Sequence, residues 1–151
     1  FRSVRVAARL GLGVILGGPV EMQEKAARLY REHALADAPP IISSLNIAVA
    51  DTADQARDLL LPESYAKVMA QSTGEFAPLR PARELDLEGL TSQQQRRIDE
   101  SLSHDVWGTA GEVGKELRGI GKRLGVDEFL ITGDMPDLAG RARSEEMVVE
   151  I

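Results

Sequence analysis

Apolar residues recur along the chain with two alternating periods, and this alternation predicts an α/β fold. The short run at 12–16 is continuously apolar, which is typical of a parallel strand buried on both faces. Strands are also predicted at 41–50, where β-branched and apolar residues surround three polar ones, and at 127–132. Between these runs, apolar residues return every three or four positions, which predicts amphipathic helices. Helices that alternate with strands in this way imply parallel strands joined by right-handed crossovers.

The ends of the predicted helices carry their own signals. Thr91 and Thr109 each stand three residues before a Gln or Glu, the pattern of a capping box that begins a helix. Gly11 follows the first helix, where a left-handed residue commonly ends the last turn, and Pro62 predicts a kink or break in the third. The predicted helices cover 3–10, 19–35, 53–69, 91–102, 109–124 and a last segment that ends at 150.

One segment of the chain lacks periodicity. Residues 71–90 contain two prolines and two glycines and no apolar repeat, which predicts a long irregular excursion. Long loops in compact domains are commonly lids or binding loops. We therefore expect a single domain over 1–151, in which 71–107 form a lid-like excursion with one helix.

The composition excludes several classes of function. The chain has 151 residues and a net charge of −6, whereas a nucleic-acid surface needs clustered Lys and Arg. Without cysteine there is no disulfide, thiolate nucleophile or Cys-ligated metal, and the chain is compatible with a reducing compartment. No run approaches the roughly 20 apolar residues of a membrane span. We expect a cytoplasmic protein with no metal site, no nucleic-acid partner and no membrane association.

The titratable side chains give no clear catalytic constellation. His33 is interpreted as a helix-terminal histidine, favoured there by the helix dipole, and His104 as a surface residue of a linker. The two histidines are too few and too isolated for a metal cage. The carboxylate pairs at 134/137 and 145/146 are interpreted as turn and solvated-helix residues.

Several short motifs recur in a familiar order. They are Ala-Ala-Arg-Leu-Gly-Leu at 7–12, Leu-Tyr-Arg-Glu-His at 29–33, Ala-Val-Ala-Asp-Thr at 48–52, Gly-Thr at 108–109 and Leu-Gly-Val-Asp-Glu at 124–128. Together they resemble the C-terminal half of luciferase-like, flavin-dependent monooxygenases over most of the chain. The resemblance implies a partial (β/α)8 TIM barrel, whose three predicted strands are the sixth, seventh and eighth, with the excursion as the lid. Because Phe1 leads directly into a helical pattern, we expect a C-terminal piece of a longer protein.

The resemblance also implies a cofactor, FMN or the deazaflavin F420. Ser3 falls on the position whose hydroxyl contacts the flavin phosphate, and a helix N-terminus suits an anion; the alternative is that Ser3 is only an N-cap. Gly17 and Gly18 fall where the sixth strand ends at the flavin ring; the alternative is a turn that needs positive φ. The family's catalytic histidine has no counterpart here, so no catalytic residue is assigned.

Three hypotheses follow. In the first, the chain is the C-terminal portion of a monooxygenase in which reduced flavin and O2 oxygenate a small organic substrate such as an aldehyde, and the chain alone is inactive. In the second, it is a non-catalytic partial barrel that self-associates through open strand edges as a homo-oligomer. In the third, it is an unrelated α/β domain, which strands that are not parallel neighbours would indicate.

Overall fold

A computed structural model describes residues 1–151. It contains six α-helices, four β-strands and one short 3-10 turn at Ala82–Glu84. The helices are α1 (Arg2–Arg9), α2 (Val20–His33), α3 (Ala53–Thr73), α4 (Ser92–Leu102), α5 (Ala110–Leu124) and α6 (Leu138–Val149). The strands are β1 (Val14–Leu16), β2 (Ile41–Val49), β3 (Val106–Gly108) and β4 (Glu128–Thr132). None of the helices has the length and apolar content that crossing a membrane requires.

The chain divides into two compact units, each built from two segments. The first unit comprises residues 1–45 and 117–132, and the second comprises 46–116 and 133–151. The strand β2 and the helix α5 therefore contribute residues to both units.

The sheet is organised around β2, its longest strand. β1 pairs with the beginning of β2 in parallel, from Val14 opposite Ile41 to Leu16 opposite Ser43. β3 pairs in parallel with the end of β2, and β4 also pairs with β2. The predicted α/β class is confirmed. The count of three strands is wrong, because the three residues of β3 are too few to show a strand period in the sequence.

The first unit is organised around α2. This helix packs against both α1 and β1. The predicted end of α1 is confirmed, because Gly11, two residues after its last residue Arg9, has a φ of +68°. The Tyr30 hydroxyl donates hydrogen bonds to the carbonyls of Leu12 at 2.8 Å and Pro39 at 3.3 Å. The Arg31 guanidinium donates to the carbonyls of 124 and 125 at 2.6 and 2.8 Å. Successive side chains of α2 thus fix the loops that enter β1 and β2 and the end of α5.

The second unit has its core along α3, which packs against α4. Buried apolar side chains from α3, α4, β2 and the segment before α6 form one cluster: Ala48, Ala56, Leu59, Leu60, Leu61, Val68, Ile98, Leu102 and Met135. Pro62 lies inside α3, and the prediction of a break there is wrong. An interior proline costs about 3 kcal/mol, and burial of the side chains before and after Pro62 offsets that cost.

The predicted excursion is partly regular. α3 continues to Thr73, three residues into it, and the 3-10 turn is its other regular element before α4. The capping box of α4 is confirmed: the Gln94 N–H donates to the Thr91 hydroxyl, and the Thr91 N–H donates to the Gln94 side chain. The excursion therefore ends at a helix start that its own side chains fix.

Candidate functional site

The Gly17–Gly18 turn follows directly from the carboxyl end of β1. Gly18 has φ +85°, whereas Gly17 does not have a positive φ, so the expectation of a turn that needs positive φ holds for Gly18 alone. A Cβ atom added at either glycine would meet no protein atom within 4 Å. Neither backbone conformation nor packing therefore explains the missing side chain at Gly17, and the turn borders open space.

A buried polar network holds the other side of this turn. The side-chain amide of Gln23, which is 1% exposed, donates hydrogen bonds to the carbonyls of Gly18 at 2.8 Å and Ser44 at 3.1 Å. Its oxygen accepts a hydrogen bond at 2.7 Å from the hydroxyl of Ser43, which is also buried. The three bonds fix the orientation of the amide, because a flipped amide would place its oxygen against two carbonyl oxygens.

Sequence reasoning missed Gln23. Met22, Ala26, Leu29 and His33 recur at helical spacing, which predicts that they share a face of α2. Met22 is exposed, however, and the buried residues of α2 are Gln23, Ala26, Ala27 and Tyr30. The spacing of Ala26, Ala27 and Tyr30 at three, four and seven residues after Gln23 is the signal that could have found it.

Ser3 lies in the first turn of α1 and is exposed. The helix begins at Arg2 with Phe1 as its N-cap, so the alternative that Ser3 is an N-cap is wrong. α1 carries three arginines and no acidic residue, in a chain with a net charge of −6. The first N–H groups of a helix have no intrahelical partners and lie at the positive end of its dipole. This end of α1 therefore has the electrostatics to accept a phosphate.

The three predicted cofactor residues lie on separate elements that share one neighbour. Ser3 belongs to α1, whereas Gly17 and Gly18 follow β1, and both α1 and β1 pack against α2. All three belong to the first unit. The first unit thus presents a basic helix start and an open glycine turn on the same supporting helix.

The second unit holds a carboxyl group with an unusual environment. Asp105 is half-buried and accepts a hydrogen bond at 3.0 Å from the Asn46 side-chain amide. Burial raises the pKa of Asp105 to about 6 and outweighs the lowering by the Asn46 hydrogen bond. Among the charged neighbours, Glu63 raises this pKa, whereas Lys67 and His104 lower it. Asp105 can therefore change its protonation near pH 6, and no sequence pattern marked it.

A cavity of about 350 Å³ lies at the carboxyl end of β2 within the second unit. Side chains of both charges line it, among them Asp58, Arg83 and the ion pair in which Arg143 contacts Asp51 at 2.9 Å. Residues 81–83 of the excursion supply one wall. The cavity can hold a small polar molecule, and the excursion takes part in enclosing it.

Three titratable residues from the sequence analysis have partners in their own helix: His33, Asp137 and Glu145. The Nδ1 atom of His33, the last residue of α2, lies 3.1 Å from the Leu29 carbonyl. His104 is exposed. Asp137 caps α6 by accepting from the Gly140 N–H, and Glu145 pairs with Arg141 one turn away. His33 thus lies at a helix end and His104 at the surface, as predicted. No cluster of three or more His, Cys, Asp or Glu side chains converges on a metal position.

Sequence comparison identifies relatives over almost the whole chain. A family model described as luciferase-like monooxygenase matches residues 2–128. A luciferase-like monooxygenase of Escherichia coli strain K12 is 25% identical over 157 aligned residues, which cover 99% of this chain and 46% of the relative. The chain thus spans about half the length of the curated relatives it matches.

Solved structures of the same kind share the fold. MsnO8 in its apo form superposes with a TM-score of 0.77 at 20% identity, covering 99% of this chain and 47% of that protein. The oxygenating constituent of 3,6-diketocamphane monooxygenase from Pseudomonas putida, in complex with FMN, gives a TM-score of 0.57 at 19% identity, covering 97% and 43%. The riboflavin lyase RcaE, with modified FMN and riboflavin, gives a TM-score of 0.59 at 22% identity. That match covers 99% of this chain and 40% of RcaE. The α/β fold with parallel strands is therefore similar to that of these three proteins.

Proposed function

Because this chain belongs to the luciferase-like monooxygenase family, we propose that it is the C-terminal portion of a flavin-dependent enzyme that oxygenates a small organic substrate with O2. FMN is the proposed cofactor, supported by the FMN in two of the similar structures, and F420 is the alternative. The flavin supplies the oxygen chemistry when bound, and the protein supplies binding, orientation and exclusion of water. Alone, the 151-residue chain forms one wall of the pocket and is inactive.

The proposed architecture is a partial (β/α)8 barrel within a single domain. β1, β2 and β4 take the places of the sixth, seventh and eighth strands, and β3 is a short addition. Ligands of such barrels lie at the carboxyl ends of the strands. Gly17 and Gly18 stand at one such end. The excursion at 71–107 is the proposed lid, supported by its residues 81–83 in the wall of the cavity at the end of β2.

The open Gly17–Gly18 turn is the observation that carries this proposal. Gly17 lacks a side chain although neither its φ nor its packing requires glycine. Close approach of a ligand to the backbone is the remaining common reason for a glycine. A planar ring laid against this turn would use the space that a Cβ would occupy.

Ser3 and the start of α1 are the proposed phosphate site. The helix offers free N–H groups, and its arginines and its lack of acidic residues favour an anion. In this arrangement the hydroxyl of Ser3 donates to a phosphate oxygen. Riboflavin, which lacks the phosphate, is then held by the turn alone.

The test is a titration of FMN and riboflavin into the purified chain, followed by flavin fluorescence. We expect saturable FMN binding that Gly17→Ala weakens about tenfold or more by occupying the ligand space. Gly17→Ala is expected to leave folding stability unchanged or raised by about 0.4–1 kcal/mol, because the alanine fits the backbone. Ser3→Ala is expected to weaken the binding of FMN and to leave the binding of riboflavin unchanged.

The matched control is Gly119→Ala. Gly119 lies in α5, where an added Cβ meets no protein atom within 4 Å, and alanine stabilises a helix interior by about 0.5–1 kcal/mol. Its flavin affinity should equal that of the wild type. Absence of any FMN or F420 binding by the wild type, or equal affinities for Gly17→Ala and Gly119→Ala, would count against the proposed site.

Self-association is the second candidate function, favoured by apolar side chains that the first unit leaves exposed. Five of them have more than half of their surface in contact with solvent: Phe1, Leu10, Leu12, Ile15 and Leu35. Ile15 is the central residue of β1, an edge strand in the order β1-β2-β3 of the sheet. A strand in that position presents unpaired backbone groups to another chain.

A further inference from the structure

We infer that Gln23 is a positioning residue for the cofactor: it anchors the Gly17–Gly18 turn from beneath and so fixes the backbone that the flavin contacts. This inference rests on the proposed function. Gln23 itself is buried and cannot touch a ligand on the open side of the turn. Its effect must pass through the Gly18 carbonyl that it holds.

The turn has two distinct sides. On one side, the Gly18 carbonyl is held by the Gln23 amide at 2.8 Å. On the other side, no protein atom lies within 4 Å of a Cβ added at Gly17 or Gly18. A segment of two glycines is intrinsically flexible. A single anchored carbonyl therefore decides which conformation the open side presents.

The same amide joins the turn to the neighbouring strand. It donates to the Ser44 carbonyl and accepts from the Ser43 hydroxyl, and Ser43 stands opposite Leu16, the last residue of β1. The turn is thus tied to the strand beside it as well as to α2. Movement of the turn would break hydrogen bonds of groups that are buried from water, which is costly.

Tyr30 provides a matched comparison on the same helix. Its hydroxyl also makes buried hydrogen bonds to loop carbonyls, but at Leu12 and Pro39, before β1 and β2 begin. Tyr30 and Gln23 thus hold opposite ends of β1 with the same kind of bond. Only Gln23 holds the end at which the proposed cofactor lies.

The experiment compares Gln23→Met, Ser43→Ala and Tyr30→Phe in the 151-residue chain. Gln23→Met keeps the length of the side chain and removes all three hydrogen bonds, whereas Ser43→Ala removes only the bond that orients the amide. Ser43→Ala keeps the test decisive if Gln23→Met does not fold. The readouts are the carbonyl 13C chemical shift of Gly18 by NMR, the FMN dissociation constant by fluorescence, and urea unfolding.

Gln23→Met should move the carbonyl 13C chemical shift of Gly18 and raise the FMN dissociation constant by about tenfold, and Ser43→Ala should change both by less. Tyr30→Phe should lower the unfolding midpoint but leave both quantities at their wild-type values. An unchanged carbonyl shift at Gly18 in both network variants would overturn the inference. Loss of affinity in Tyr30→Phe equal to that in the network variants would do the same, since it would make the effect one of stability.

The outcome that contradicts the proposed function is separate from the outcome that contradicts the role of Gln23. If the wild type binds neither FMN nor F420, the cofactor assignment is overturned, while the carbonyl 13C shift of Gly18 still decides whether Gln23 anchors the turn. If Gln23→Met loosens the turn and the wild-type affinity is retained, the cofactor site stands and the positioning role of Gln23 is refuted.

Discussion

Asp105 is a carboxyl group whose protonation depends on both its burial and its neighbours. Its pKa is raised from 3.8 to about 6 in the folded chain, first by burial, with a lowering by the Asn46 hydrogen bond. Between these two values the folded state binds the proton and the unfolded state releases it. The contribution of Asp105 to stability is therefore largest at low pH and is lost as pH rises through about 6.

Replacement of Asp105 by Asn should remove this dependence. The free energy of unfolding of the wild type, relative to that of Asp105→Asn, should increase by about 1 kcal/mol between pH 7 and pH 5, after allowance for the exposed part of the carboxyl. Urea unfolding at the two pH values measures this difference, and the other carboxylates cancel because both proteins carry them. A difference that does not change with pH would show that Asp105 titrates normally.

Single elements were predictable where one local interaction dominates. The start of α4 was readable because Thr91 and Gln94 satisfy each other's backbone groups, and the end of α1 because Gly11 takes a positive φ. The break predicted at Pro62 is absent because packing of distant residues, which no local pattern records, keeps α3 continuous through it; the alternative of a kink stays a prediction. Of the site, Gly17 and Gly18 were found through resemblance, whereas Gln23 and Asp105 depend on partners at 44 and 46 that only the fold brings near.

The first two turns of α4 also secure the far end of α3. The Gln94 side chain donates to the Ser72 hydroxyl at 3.4 Å, and Arg97 donates to the Gln71 side chain at 3.1 Å. These contacts lie where the excursion leaves α3. The cap of α4 therefore supports both ends of the irregular segment 71–90.

Thr91→Ala should destabilise the chain by about 1 kcal/mol through loss of the N-cap. It should also speed limited proteolysis within 74–90, because fraying of α4 frees Gln94 from Ser72. Urea unfolding and mass spectrometry of the cleavage products measure the two effects. Ser92→Ala, at the adjacent exposed position, serves as the control, and an equal effect of both substitutions would contradict a specific role for the cap.

At the scale of the whole molecule, the uneven distribution of exposed apolar residues is the main feature. Ile15 is 58% exposed at the centre of β1, and Leu130 and Ile131 of β4 are 43% and 38% exposed. Strands with apolar side chains in solvent favour association with other strands. The mass of the 151-residue chain in solution shows whether self-association covers these apolar surfaces.

If self-association through β1 occurs, Ile15→Lys should abolish it by placing a charge on that strand. Light scattering over a concentration series should then give the monomer mass of 16.4 kDa for Ile15→Lys and a larger mass for the wild type. Val149→Lys, at an apolar residue that is 86% exposed on α6, should keep the wild-type mass. A monomeric wild type would rule out the second candidate function.

The hydrogen bonds of Arg31 have a consequence for the nascent chain on the ribosome. Tyr30 finds its carbonyl partners within 18 residues, but Arg31 binds carbonyls 93 and 94 residues later. The first unit is interrupted by 71 residues of the second, at 46–116. Contacts of such long sequence separation form slowly, because chain entropy is lost before they contribute. During synthesis, the first unit thus stays incomplete until residue 132 has emerged, and its apolar surfaces are open to chaperones throughout that interval.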